Sequence, residues 1–217
     1  MVNILIDDRK ITWASAEDVT VERLIKQLAD RNGEVRCAAA KEINSSDLKF
    51  KLFDPLIKGS KDPNDCVRLN SVRALGKFIK IRLDPHRTDK LLAALIVRTI
   101  DPDPDIKLNV FISLDDIAQL KLPFKAKALM VDPLIAALYQ GDKEIKVVAV
   151  RALGEFTADD VPKEKKGNII TALLSVLKEK KAGAVIRNAA GQSLENFLRS
   201  NISAELKAEI RNAVKSF

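Results

Sequence analysis

The sequence predicts an all-α fold, an α-α superhelix of about five stacked helix pairs with a cap at each end. Three observations carry that prediction. An apolar helix, a turn with an acidic residue, and Val/Ile-Arg/Lys opening a second apolar helix recur at Val35-Arg36, Val67-Arg68, Ile106-Lys107, Ile145-Lys146 and Ile186-Arg187. The basic residues of that phrase stand 32, 39, 39 and 41 positions apart. Leu69, Val72, Leu75 and Phe78 follow one another at three-residue steps, which lines them along a single helical stripe. No stretch sustains two-residue alternation, so essentially no sheet is expected, a short extended piece at Asn3 to Ile6 excepted. The chain is read as one solenoid domain: a cap over 1–19, repeats over 20–200 and a capping helix over 201–217.

The elements follow in order. Met1 to Ser15 carries Ile4, Leu5, Ile6, Ile11 and Trp13, enough apolar surface to cover the open side of the first repeat. The first unit reads Leu24-Ile25-Lys26-Gln27-Leu28 and then Val35-Arg36-Cys37-Ala38-Ala39-Ala40. The second and fourth units align best: Phe53-Asp54-Pro55-Leu56-Ile57 with Val131-Asp132-Pro133-Leu134-Ile135, and Val72-Arg73-Ala74-Leu75-Gly76-Lys77-Phe78 with Val150-Arg151-Ala152-Leu153-Gly154-Glu155-Phe156. Asp54-Pro55 and Asp132-Pro133 fit an N-cap followed by proline at the first helical position. The third unit keeps the frame as Ile106-Lys107-Leu108-Asn109, and the fifth runs from Leu173-Leu174-Ser175-Val176-Leu177 to Ile186-Arg187-Asn188-Ala189-Ala190. Asp62-Pro63-Asn64-Asp65, Asp101-Pro102-Asp103-Pro104-Asp105 and Gln140-Gly141-Asp142 are the turns between helices. Small residues such as Ala74, Ala149, Gly154 and Ala190 let second helices approach closely. Ser203 can N-cap a last helix with Leu206, Ile210 and Val214 inward.

This phrasing resembles the HEAT-repeat family over roughly residues 20 to 200, and most of all its phycobilisome-lyase-type branch. The resemblance implies the solenoid fold. It leaves function open, since such repeats serve many unrelated tasks. Deoxyhypusine hydroxylase, an enzyme on HEAT repeats, depends on repeated His-Glu pairs, and this chain contains none. HEAT-like alkylpurine DNA glycosylases read bases with aromatic side chains, whereas here Trp13 and Tyr139 stand outside any groove pattern and Phe78, Phe156 and Phe197 occupy equivalent core positions. An accessory or lyase-like role rests on the resemblance alone.

Composition sets further bounds. With 47% hydrophobic and 31% charged residues the balance is that of an ordinary globular protein. No apolar run approaches the roughly 18 residues of a membrane span, and the first ten residues lack the shape of a signal peptide. Cys37 and Cys66 occupy different phases of neighbouring repeats, so buried free thiols are favoured over a disulfide, and the cytoplasm is the default location. The net charge of +7 is concentrated at the C-terminal end: residues 163–217 hold 11 Lys and Arg against 5 Asp and Glu. Lys163, Lys165, Lys166, Lys178, Lys180 and Lys181 form a candidate patch for nucleic-acid backbone, weighed against a plain solvated end.

Two columns are candidates for chemistry. The first is Arg36, Arg68, Lys107, Lys146 and Arg187, preceded by six positions in the first three units by Asp30, Asp62 and Asp101. A cation at a helix N-terminus opposes the dipole unless carboxylates compensate it, so a structural ladder is expected in preference to direct ligand contact. The second lies five residues further on, at Lys41, Arg73, Ile112, Arg151 and Gln192, about 140° around the helix. With Lys77 and Asn109, its polar members are the candidate partner-binding residues of a concave second-helix face. No catalytic residue, metal site or cofactor is expected. His86 is the sole histidine and reads as a turn residue, and no Gly-x-Ser-x-Gly elbow or phosphate-cradling loop occurs. The sequence therefore predicts a non-catalytic scaffold for a protein partner, most readily an acidic segment. Nucleic acid is the alternative, and oligomeric state is left open.

Overall fold

The computed structural model describes residues 4–7, 10–13, 15–47, 49–81, 83–156 and 161–216. A hairpin of β1 (Ile4–Asp7) and β2 (Lys10–Trp13) comes first. Eleven described α-helices follow: α1 (Ala16–Leu28), α2 (Gly33–Ser45), α3 (Phe53–Gly59), α4 (Asp65–Lys77), α5 (Pro85–Arg98), α6 (Pro104–Ala118), α7 (Phe124–Gln140), α8 (Lys143–Gly154), α9 (Lys163–Lys178), α10 (Gly183–Leu198) and α11 (Ala204–Lys215). Short 3-10 turns, Phe50–Leu52, Phe78–Lys80 and Lys180–Ala182, lead into or out of helices. The all-α repeat architecture is as expected, as helix pairs α1/α2, α3/α4, α5/α6, α7/α8 and α9/α10 with α11 closing the series. No helix among the described residues is long and apolar enough to cross a membrane.

The hairpin corrects the expectation of a single extended piece at Asn3 to Ile6. Its register pairs Ile4 with Trp13, Leu5 with Thr12, Ile6 with Ile11 and Asp7 with Lys10. Ile and Thr favour extended backbone, but four-residue strands are too short to declare a period of two. The side chains of Met1 to Ala14, on which the capping expectation rested, lie outside the described residues.

Two compact units divide the chain, Met1–Asp84 and Pro85–Phe217. In the first, Val21 and Leu24 of α1, Ala39, Ala40 and Ile43 of α2, and Phe53 and Leu56 of α3 are buried with Val67, Val72, Leu75 and Phe78 of the α4 segment. Phe53 meets Phe78 edge-on, with ring centroids 5.2 Å apart. In the second, Leu92 and Leu95, Val110 and Leu114, Met130 and Leu134, Val150 and Leu153, Ile170 and Leu173, and Leu194 and Phe197 continue the stripe, helix by helix. Helix starts fall on side chains that accept otherwise orphaned N–H groups. Ser15 accepts from Asp18, Asn32 from Glu34, Asn64 from Val67, Asp103 from Asp105 and Ile106, and Ser203 from Leu206.

The prolines differ from expectation. Pro55 is the third residue of α3, whose start is Phe53, and Pro133 lies deep inside α7. In the first turn a missing N–H costs nothing. In α7 it leaves the Leu129 carbonyl without its intrahelical donor. The helix nevertheless extends back to Phe124 because Ala126, Met130 and Val131 prolong the buried stripe upstream of Asp132. His86 falls in the first turn of α5, not in a loop, and is exposed.

Cys37 and Cys66 form a disulfide, with Cα atoms 5.5 Å apart, instead of the expected free thiols. Their phases do differ, by three residues relative to the Arg36/Arg68 column. Three residues are about 300° of helix, so the two side chains differ in direction by only about 60°, and the two sulfurs meet across the α2–α4 contact.

Candidate partner-binding face

The turn aspartates have a local task. Oδ1 of Asp30, Asp62 and Asp101 accepts the N–H two residues on, from Asn32 (2.8 Å), Asn64 (2.9 Å) and Asp103 (3.1 Å), folding each turn onto its helix cap. Arg36 Nη1 donates to the carbonyls of Asp30 (3.0 Å) and Arg31 (3.1 Å). Arg68 Nη1 repeats the pattern on Asp62 (3.1 Å) and Pro63 (3.0 Å). The remaining guanidinium edge of Arg36 reaches the next turn: Nε and Nη2 donate to Asp62 Oδ2 and Oδ1 at 2.7 and 2.8 Å. Burial pushes the Asp62 carboxyl up, but the Arg36 bonds and the Asn64 N–H outweigh it and hold it below the ordinary carboxylate range. Asp101, fully buried, pairs with Arg98 three residues before it at 3.1 Å.

Further along, the arrangement changes. Lys107 and Lys146, both half-buried residues, make no ion pair or side-chain hydrogen bond among the described residues. Six positions before Lys146 and Arg187 stand Gln140 and Lys181, not aspartates. Arg187 is half-buried in the first turn of α10.

Two members of the second column, Lys41 and Arg73, lie on the α2–α4 layer. Cys37, Lys41 and Asn44 share one side of α2, and Cys66, Arg73 and Lys77 share one side of α4. The disulfide joins those sides, and Lys77 Nζ donates to the Asn44 carbonyl. Lys41, Arg73 and Lys77 are all exposed. In the second unit, Ile112 is 42% exposed on α6 and Gln192 is exposed on α10. Asn109 is half-buried and donates to the Asp105 carbonyl at 2.7 Å.

Arg151 of α8 carries a tie that the sequence reading missed. It forms an ion pair with Asp115 of α6, whose side chain is 4% exposed. Burial raises the Asp115 carboxyl above its usual range, with Arg151 opposing and Asp116 reinforcing the shift, and its Oδ1 is buried with no hydrogen-bond partner among the described residues. The column eight residues after the cation series reads Asn44, Gly76, Asp115, Gly154 and Glu195, so Asp115 stands where the neighbouring second and fourth units have glycine.

The C-terminal lysines do not form one patch. Lys163, Lys165 and Lys166 lie in the first turns of α9, while Lys178 ends it and Lys180 and Lys181 follow, about 24 Å away for a helix of 16 residues. Lys165 is paired with Asp132, Lys166 is 3% exposed, and Lys178 approaches Glu209 at 3.8 Å.

The model of HEAT repeats matches residues 21–115, from α1 into α6. Those residues are HEAT repeats. No curated protein matches the sequence. Among solved structures, the HEAT repeats and the helix pairs after them are similar to a designed armadillo repeat protein in complex with the peptide (KR)4, at 18% identity and TM-score 0.66, covering 89% of this chain and 87% of that one. An engineered protein is similar at 18% identity and TM-score 0.62, covering 90% and 96%. A chain from a structure titled for the phosphorylation switch between cadherin and β-catenin matches at 17% identity and TM-score 0.66, covering 87% of this chain and 39% of that one. Likeness at this level of identity is a likeness of fold.

Proposed function

We propose that this protein is a non-catalytic scaffold that binds an acidic segment of a protein partner on its second-helix face. One observation carries the reading: Lys41, Arg73 and Lys77 are exposed on a single side of the α2–α4 layer, which the disulfide and the Lys77–Asn44 bond hold together. Closely spaced cations on rigid helices attract carboxylates and set orientation before contact. Arg151 and Gln192 hold the same repeat positions on α8 and α10 of the second unit, with Arg151 sharing its charge with Asp115. The designed armadillo protein in complex with (KR)4 offers a precedent for peptide binding on this fold, with the charges reversed. Both cysteines are consumed in the disulfide, which removes a thiolate nucleophile from the oxidised chain.

Nucleic acid is less favoured because the C-terminal lysines are separated and in part paired or buried. The test is affinity capture from native lysate, with and without nuclease, on wild type and on the double variant Lys41→Glu/Arg73→Glu. Protein partners retained after nuclease by wild type and lost by the double variant support the proposal. Retention that nuclease abolishes, or that the double variant leaves unchanged, contradicts it. Arg151→Glu is unsuitable here, since it sets a new carboxylate against buried Asp115.

A further inference from the structure

Two clefts on the protein are built from equivalent positions of different repeats. The first, about 520 Å³, lies in the first unit and includes Ala29, Arg36, Lys58 and Asp62. The second, about 530 Å³, lies in the second unit and includes Ile100, Lys107, Ala136 and Gln140. Ile100 and Lys107 stand 71 residues after Ala29 and Arg36, and Ala136 and Gln140 stand 78 residues after Lys58 and Asp62. In the first cleft the cation is neutralised from within, because Asp62 chelates Arg36 through both oxygens. The second has lost that carboxylate to Gln140 and the Lys58 ammonium to Ala136. It has gained apolar surface: buried Phe111 and Ile145 line it, and Ile100 stands 84% exposed. Lys107 remains, half-buried, with no ion pair among the described residues. The one carboxylate in the lining, Asp132, is bound to Lys165 through both of its oxygens.

We infer that the cleft around Lys107 is a docking site for an acidic side chain of a partner protein, flanked in its sequence by apolar residues, whose carboxylate takes the place that Asp62 holds in the first unit. Lys107 brings a charge without a counter-ion to a cleft with apolar walls, and a carboxylate brought in with apolar neighbours pairs with it while covering Ile100 and those walls. The first unit shows that the repeat geometry accepts a carboxylate at that point. This site is separate from the α2–α4 face and stands whether or not that face binds a partner.

The test uses the full chain and end-blocked pentapeptides with Asp or Glu at the centre and Leu, Ile, Val or Phe around it, together with the same peptides carrying Asn or Gln at the centre. Two variants accompany wild type. Lys107→Met removes the charge and keeps the length of the side chain, and Gln140→Asp supplies an internal carboxylate in the manner of Asp62. The expected result is that acidic-centred peptides bind wild type, amide-centred ones bind at least tenfold more weakly, and both variants lose at least tenfold in affinity. The inference is overturned if no acidic-centred peptide binds, if amide-centred peptides bind equally, or if either folded variant binds as wild type does. Octanoate is the control for a free acid: binding of octanoate alone, without any peptide, overturns the protein-partner assignment.

Discussion

Replacing Gly154 with alanine tests how closely the second helices stack. A Cβ on Gly154, the last residue of α8, would stand 2.8 Å from the Cβ and 3.2 Å from the Cα of Ser193 on α10. Ordinary carbon contacts begin near 3.5 Å, and a backbone atom cannot turn aside, so the helices must part. Parting them also strains the buried bond from Ser193 Oγ to the Val150 carbonyl, now 3.0 Å. Overpacking costs about 1–3 kcal/mol and weakening the buried bond about 1 kcal/mol. Alanine's helix propensity returns at most about 1 kcal/mol, less at a helix end. The net destabilisation is about 1–3 kcal/mol, a fall in Tm of roughly 2–10 °C for a chain of this size. Thermal unfolding followed by circular dichroism measures it. Gly167→Ala is the control: it sits inside α9 with nothing within 4 Å of its would-be Cβ, and it should stabilise by about 0.5–1 kcal/mol. If the two substitutions shift Tm in the same direction, the close-stacking argument is wrong.

Three further predictions concern covalent and charged groups. Reducing Cys37–Cys66, whose partners are 29 positions apart, should cost about 3.5 kcal/mol by loop-closure entropy, read as a lower denaturant midpoint with reductant; Cys37→Ser/Cys66→Ser should show the lower midpoint without any response to reductant. Asp62→Asn should cost about 2 kcal/mol at pH 7. Because Asp62's folded-state carboxyl lies below its unfolded range, that contribution is present at neutral pH and lost as the pH falls from about 4 through the folded value, so wild type and variant should converge in acid. Asp115 has the opposite sign: its carboxyl is raised, so its contribution is greatest in acid and lost as pH rises through the folded value. Asp115→Asn should therefore be at least as stable as wild type at pH 7, with Arg151, 59% exposed, turning to water; a lower denaturant midpoint than wild type there would contradict the reading.

Much of the fold was legible because helical burial repeats. The stripe through Val72, Leu75 and Phe78 is buried as its spacing requires, and the turn at Asp62 to Asp65 contains both the Asp62 turn bond and the Asn64 cap. What was not legible depends on which sides of neighbouring helices face each other. Comparing residues by column set Cys37 and Cys66 apart, yet their directions differ by only about 60° and they are partners across α2 and α4. The same applies to Arg151, which reads as a free surface cation until α6 places Asp115 beneath it. The proline motifs misled because Asp132-Pro133 repeats Asp54-Pro55 in sequence, while the buried residues upstream differ: Leu52 and Phe53 stand directly before Asp54, whereas Ala126, Met130 and Val131 carry the buried stripe nearly two turns back along α7. Gln140 was visible all along as a gap in the aspartate column; its meaning required the cleft and the unpaired Lys107 beside it.

The scaffold proposal is tested most directly by zero-length carbodiimide crosslinking of the protein to its captured partner, with the crosslinked residues mapped by mass spectrometry. This chemistry joins lysine ammonium groups to carboxylates in direct contact. If an acidic segment lies on the second-helix face, crosslinks run from Lys41 and Lys77 to Asp or Glu of the partner. Crosslinks confined to Lys178, Lys180 and Lys181, or to lysines of the first helices such as Lys26 and Lys58, would contradict it.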